Sequence, residues 1–149
     1  MEVFGLPAHP LIVHAVVVLV PLAALGGLAI SALTSMRLRY GWLVVAGALA
    51  GMLSTIAAQV SGSDFAGTVE QYTPELERHI QLGDDLLIWA ILLVVGTAVQ
   101  MLGQRLMDSP HPRGRVVRLV GIVVTVVAAV VATVQTVRIG HAGSFSVWG

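Results

Sequence analysis

The sequence predicts an all-α, polytopic membrane protein in which four transmembrane helices form an antiparallel bundle. Its mean hydropathy is +0.89, and only 11% of its 149 residues are charged, whereas soluble domains contain about 25% charged residues. Four segments are long and apolar enough to cross a bilayer, which takes about 20 mostly apolar residues. Short polar connectors join the first pair and the last pair of segments, so we expect neighbouring helices to be antiparallel.

The four predicted spans belong to one membrane domain, residues 1–149. They cover residues 10–33, 42–60, 80–103 and 116–139. A longer acidic loop at residues 61–79 joins the second span to the third. Pro74 follows Thr73, a pattern typical of a helix start, so helix three should begin near Pro74 and project beyond the membrane. Gly140 follows the fourth apolar run and predicts the end of helix four.

Small residues let transmembrane helices approach closely. Span two contains Gly47 and Gly51 at the GxxxG spacing. Spans one and four contain Ala23, Ala24, Gly26, Gly27, Ala29, Gly121, Ala128, Ala129 and Ala132. We expect these residues to pack inside the bundle. A homo-oligomer that forms through one small-residue face is the alternative.

The arginines predict the orientation in the membrane. There is no lysine, and six of the eight arginines flank the two short connectors: Arg37, Arg39, Arg105, Arg113, Arg115 and Arg118. Only Arg78 and Arg138 fall on the other side. Basic residues concentrate in cytoplasmic loops, so both termini and the central loop are expected outside the cytoplasm.

Composition and motifs exclude several classes of function. Without cysteine the chain has no disulfide, thiolate metal site, Cys-ligated iron–sulfur cluster or covalent c-type haem. The formal net charge is zero, so the overall charge indicates no nucleic-acid partner. No Ser–His–acid arrangement, HExxH motif or glycine-rich phosphate loop is present. The sequence therefore favours a non-enzymatic role, with the lipid bilayer as the first partner.

Four of the five histidines fall on the predicted outer side. His9 precedes span one, His14 lies about one turn inside it, His79 is early in helix three, and His141 follows span four. Asp64, just beyond span two, joins this group. The fifth histidine, His111, lies in the arginine-rich connector between spans three and four, where contact with solvent accounts for a polar side chain. Every helix thus delivers an imidazole or a carboxylate to the same end of the bundle.

These residues predict a cofactor or metal site. Neutral imidazole is a common metal ligand, and two imidazoles on facing helices can bind the iron of haem b inside a four-helix bundle. We expect His14 and His141 to form the axial pair because they lie at similar depth, with His79 and His9 as a second pair or as supporting groups. Gln59, Gln135, Thr136 and Asp64 could support the ligands.

The alternative to haem is a divalent metal ion. Its candidate ligands are His9, His14, His79, His141 and Asp64. Each histidine also has an ordinary explanation, and His79 would be unremarkable by itself at an exposed helix end. His14 could be a neutral side chain hydrogen-bonded to Gln59 or Gln135. His141 could be a cation stabilised at a helix C-terminus, and His9 could be an interfacial residue.

The order of the histidine motifs resembles a known family. The stretch from Gly5 to His14 has the pattern HPLxVH, a lone His79 precedes span three, and a GHxG motif contains His141. Together they resemble a bacterial family of small predicted membrane proteins, the domain-of-unknown-function family 2231, over essentially the whole chain. The resemblance implies that His9, His14, His79 and His141 are its signature positions, and that the chain resides in the bacterial cytoplasmic (inner) membrane.

Some members of that family are fused to Rieske-type or c-type cytochrome domains, which implies redox work at the outer face. The function expected from the sequence is thus a redox or electron-transfer accessory protein that binds haem b or a metal ion, with redox proteins or a larger membrane complex as partners. The alternative is a non-enzymatic accessory or scaffold subunit of a membrane complex. A small ion-coupled transporter ranks last, because the spans have almost no charge at mid-depth.

Overall fold

A computed structural model describes residues 2–3, 6–66, 74–109 and 111–148. A two-residue antiparallel strand pair precedes four long helices. The elements are β1 (Glu2–Val3), β2 (Leu6–Pro7), α1 (Ala8–Ala32), α2 (Thr34–Ala66), α3 (Pro74–Asp108) and α4 (Gly114–Trp148). The predicted all-α, four-helix fold is confirmed.

Each helix contains a segment long and apolar enough to cross a membrane. These segments are His9–Ala32, Thr34–Asp64, Glu77–Asp108 and Gly114–His141. The outward faces consist largely of leucine and valine. Leu22, Leu43 and Val123 are 62%, 69% and 62% exposed. Apolar side chains exposed over so large an area indicate contact with lipid chains.

The helices extend beyond the predicted spans. α3 begins at Pro74, as the Thr-Pro pattern predicted. The predicted end of helix four at Gly140 is wrong, because α4 continues to Trp148. Glycine ends a helix when it adopts a left-handed conformation, and Gly140 has no positive φ. Only Leu33 separates α1 from α2, so the predicted first connector is helical.

Each helix packs on two neighbours in the ring order α1–α2–α3–α4, while α1 and α3 lie diagonally opposite and barely touch. The α3–α4 contact is the most extensive. Four glycines in it each face the backbone of a larger residue. In every pair the two residue numbers add to 221, as a continuous antiparallel register requires: Gly96–Thr125, Gln100–Gly121, Gly103–Arg118 and Met107–Gly114.

The core is rich in small apolar residues, and it also buries the polar side chains of Thr97, Gln100 and Thr125. Ala128, Ala129 and Ala132 are fully buried, which confirms the prediction that the small residues of helix four pack inward. The two glycines of the GxxxG pair have different surroundings. A Cβ at Gly51 would touch Val20 of α1, whereas a Cβ at Gly47 would meet nothing within 4 Å. Only Gly51 of this pair therefore serves the packing inside the bundle.

Candidate ligand-binding site

A cavity of about 230 Å³ lies at the end of the bundle where α1 and α3 begin. All four helices line it, and its wall is mostly apolar. The polar side chains in the lining are His9, Thr55, Gln59, Ser63, His79, Asp84 and Thr136. A mostly apolar cavity with a few convergent polar groups is the usual form of a ligand site.

Helical periodicity explains which residues of α1 reach the cavity. His9, Val13, Val16 and Val17 line it, and these positions follow the spacing of a single helix face. His14 is five residues from His9, a rotation of about 140° around the helix axis at 3.6 residues per turn. The two histidines of the HPLxVH motif consequently face different surroundings.

His9 is held by α2. Its Nδ1 lies 3.2 Å from the Ser61 hydroxyl oxygen, and that hydroxyl donates to the Ala58 carbonyl oxygen at 3.1 Å. Because the Ser61 proton is directed at Ala58, the Ser61 oxygen accepts a hydrogen bond from the Nδ1–H of His9. Gly62 leaves room for the imidazole, since a Cβ there would lie 3.0 Å from the His9 Cε1.

His79 reaches the same cavity from the second turn of α3 and is partly buried. Its Nδ1 is buried and has no hydrogen-bond partner among the described residues. A buried polar atom without a partner costs about 1–3 kcal/mol. Native proteins rarely leave such an atom unpaired without a functional or structural reason.

Gln59 and Asp84 connect α2 to α3 at the wall of the cavity. The Gln59 amide nitrogen donates to the Asp84 Oδ1 and to the Gly83 carbonyl oxygen, each at 3.2 Å. Asp84 is exposed, so a carboxylate stands at the rim of the cavity. This tether keeps the His79 segment of α3 against α2.

The other predicted site residues lie outside the lining. His14 is exposed, and its Nδ1 pairs with the Pro10 carbonyl oxygen rather than with Gln59 or Gln135. His141 and Asp64 are also exposed. The structure therefore brings together His9 and His79, the pair predicted second, and does not bring His14 and His141 into the cavity.

Of the predicted supporting groups, Gln59 and Thr136 line the cavity. Gln135 accepts instead from Arg138 at 3.4 Å. Ser61 was not predicted as a site residue, because 52 residues separate it from His9. Asp84 was not predicted either, although it is an acidic residue in the turn after His79, at the start of the third apolar segment.

The number of donor side chains and the volume of the cavity can be compared with what a metal ion or a larger ligand requires. No three His, Asp or Glu side chains among the described residues lie close enough to share a metal ion. The cavity thus offers two imidazoles rather than the predicted larger cluster. Pockets that enclose drug-sized molecules typically measure about 300–1,000 Å³. A cavity of about 230 Å³ lies below that range.

Comparison with known proteins identifies the family. One family profile, described as a predicted membrane protein (DUF2231), matches residues 5–149. Neither the comparison with curated proteins nor the comparison with solved structures gives a match. The matched region contains all four helices and every residue that lines the cavity. The chain therefore belongs to the DUF2231 family of predicted membrane proteins, as its histidine motifs suggested.

Proposed function

We propose that this membrane protein binds a transition-metal ion through His9 and His79. One observation supports the proposal above all others: two imidazoles from diagonally opposite helices line one cavity, and the Nδ1 of His79 is buried without a partner among the described residues. A ligand that accepts the His79 lone pair removes the cost of that unpaired atom.

The two donors are chemically suited to this role. Neutral imidazole binds zinc, copper, iron and nickel. The hydrogen bond between His9 and Ser61 orients the imidazole, as partners of metal-binding histidines commonly do. Water molecules could supply further ligands. Copper or iron would supply one-electron chemistry and hence a redox accessory role, whereas zinc would supply a redox-inert centre.

Haem b is the second candidate. His9 and His79 stand on helices that face each other across the bundle axis, which is the arrangement that axial ligation from two sides requires. The cavity volume argues for the smaller ligand. Haem binding would therefore require the helices to move apart at the cavity end.

The arginine distribution supports an orientation in which the cavity faces the outside of the bacterial cytoplasmic membrane. A metal centre at that face would be accessible to redox proteins or to the outer domains of a larger membrane complex. The motif inventory supports no catalytic reaction, so the proposed role is binding and electron transfer rather than enzymatic turnover.

The test is to purify the protein in mild detergent, supply copper, zinc, iron or haem separately, and measure bound metal and visible spectra. Wild type should bind one metal ion per chain, and His9→Ala and His79→Ala should each lose most of it. His111→Ala is the matched control, because His111 is exposed and lies in the connector at the opposite end. His14→Ala and His141→Ala test the other predicted pair.

The outcomes separate the hypotheses. A Soret band that is lost in His9→Ala and His79→Ala would identify haem as the ligand. A metal-free, colourless and folded wild type after all four additions would contradict the proposal and favour the scaffold-subunit alternative. Loss of binding in His14→Ala and His141→Ala, with normal binding in the His9 and His79 variants, would move the site to the other pair.

A further inference from the structure

A second polar cluster lies at the opposite end of the bundle and is centred on Arg37. This side chain is only 4% exposed. Its Nη1 donates to the Ile30 carbonyl oxygen at 2.8 Å and its Nη2 to the Thr34 hydroxyl at 2.9 Å. Ile30 lies in the last turn of α1, where carbonyl groups lack helical partners. Arg37 therefore caps the C-terminus of α1.

A second guanidinium joins the first. The Nε of Arg37 and the Nη1 of Arg118 donate to the same atom, the Gln104 Oε1, at 3.2 and 3.3 Å. Arg118 is partly exposed, and its Nε is buried with no partner among the described residues. Two positive charges thus share one neutral amide oxygen, and one donor remains unused.

The described residues provide no direct counter-charge. No carboxylate oxygen among them hydrogen-bonds or ion-pairs with Arg37 or Arg118. Among the described residues, Asp108 is the one acidic residue at this end of the bundle, and it accepts from the Gln104 Nε2 at 3.0 Å. Burying charge without a partner is costly. The general preference for cytoplasmic arginine explains basic loops, but it does not explain two guanidiniums converging inside the bundle.

We propose that Arg118, with Arg37 behind it, binds the phosphate of an anionic phospholipid headgroup. Guanidinium recognises phosphate, as it does carboxylate, through parallel N–H···O bonds. Basic sites between transmembrane helices bind anionic headgroups. A lipid phosphate is present at the level where the helices end. The exposed part of Arg118 can contact it directly, whereas the buried Nε would reach it only after the side chain reorients. This site is independent of the histidine cavity.

The test uses delipidated full-length protein in mild detergent. Phosphatidylglycerol and zwitterionic phosphatidylcholine are titrated in turn, and bound lipid is counted by native mass spectrometry alongside thermal unfolding. Wild type should bind one phosphatidylglycerol per chain and unfold at a higher temperature. Arg118→Gln should weaken that binding about fivefold or more. Arg115→Gln, which removes an exposed arginine one turn away on α4, should bind as wild type does.

Three outcomes would overturn the proposal. Equal binding of phosphatidylcholine would show that the headgroup charge is not recognised. An equal loss in Arg115→Gln would show diffuse attraction rather than a site. Equal affinity for inorganic phosphate would make the ligand a free anion. If Arg118→Gln does not fold, Arg118→Lys replaces it, because lysine keeps the charge but lacks the Nε donor. The comparison of phosphatidylglycerol with phosphatidylcholine on wild type tests the headgroup preference without any variant.

Discussion

The two cavity imidazoles differ in how many protein partners they have. His9 is oriented by Ser61, and Gly62 provides the space for its ring. His79 has a buried Nδ1 that no described residue satisfies. A metal ion bound between the two rings would give the His79 Nδ1 the partner that it lacks. At the residue scale, therefore, the hydrogen bond from His9 to Ser61 is the most informative contact to remove.

We expect Ser61→Ala to lower metal affinity about 10-fold, because the loss of a supporting hydrogen bond typically costs 10–100-fold. Ser54→Ala is the matched control: it removes a hydroxyl that donates only to the Ala50 carbonyl oxygen, two turns away on α2. Isothermal titration with copper or zinc checks both variants. Equal affinities in the two would show that Ser61 does not orient the ligand.

Arg37 is the second residue whose surroundings predict a large effect. Arg37→Ala should lower the free energy of unfolding by about 2–3 kcal/mol, because it removes hydrogen bonds from a charged group to Ile30, Thr34 and Gln104. Arg39→Ala is the control, since Arg39 is exposed and lies 5.3 Å from the centre of the Tyr40 ring. Thermal unfolding in detergent distinguishes them, and similar losses would contradict the capping role.

At the scale of the elements, the α3–α4 pair organises the bundle. Its constant register places glycine against a larger residue at four successive levels. Further along the same register, Leu93 lies level with Ala128 and Leu82 with Ile139, and both pairs belong to the buried core. The close approach of backbones at one end thus continues into side-chain packing beneath the cavity.

Gly121→Ala should destabilise the protein by about 1–3 kcal/mol, because the added methyl would overlap the backbone of Gln100. Backbone cannot move aside as a flexible side chain can. Gly47→Ala makes the same chemical change in a helix where nothing lies within 4 Å, and it should be neutral or slightly stabilising because alanine favours helix. Thermal unfolding of both in one detergent measures the difference. A stable Gly121→Ala variant would mean that α3 and α4 are further apart.

The whole molecule is a bundle with two chemically different ends. One end holds the cavity with two imidazoles, and the other holds the arginine cluster. An apolar layer between them contains Ala24, Leu93 and Ala128. On α3 the buried polar residues Thr97 and Gln100 lie between this layer and the arginine cluster.

The orientation is testable at this scale because the chain has no cysteine. In intact cells, Ser63→Cys should react with a membrane-impermeant thiol reagent, since Ser63 is exposed beside the cavity. Ser109→Cys, exposed at the arginine end, should react only after the cells are opened. The reverse pattern would place the cavity at the cytoplasmic side and remove the argument for outer redox partners.

The fold followed from the sequence far more completely than the site did. Four long apolar segments and a scarcity of charge predict four membrane helices whatever their arrangement, because transfer into lipid depends on the composition of each segment. The start of α3 at Pro74 was also predictable from local chemistry. The end of α4 was not, because a glycine stops a helix only when its backbone turns left-handed.

The sequence by itself determined the class of fold, the family motifs and the candidate histidines. Only the tertiary structure decided that His9 and His79 share a cavity, while His14 and His141 are exposed at its outside. The physical reason is the rotation of each helix about its own axis. Which face of a helix turns inward depends on the register of small residues such as Gly51 and Gly121 against their neighbours. That register arises from contacts between residues distant in the chain.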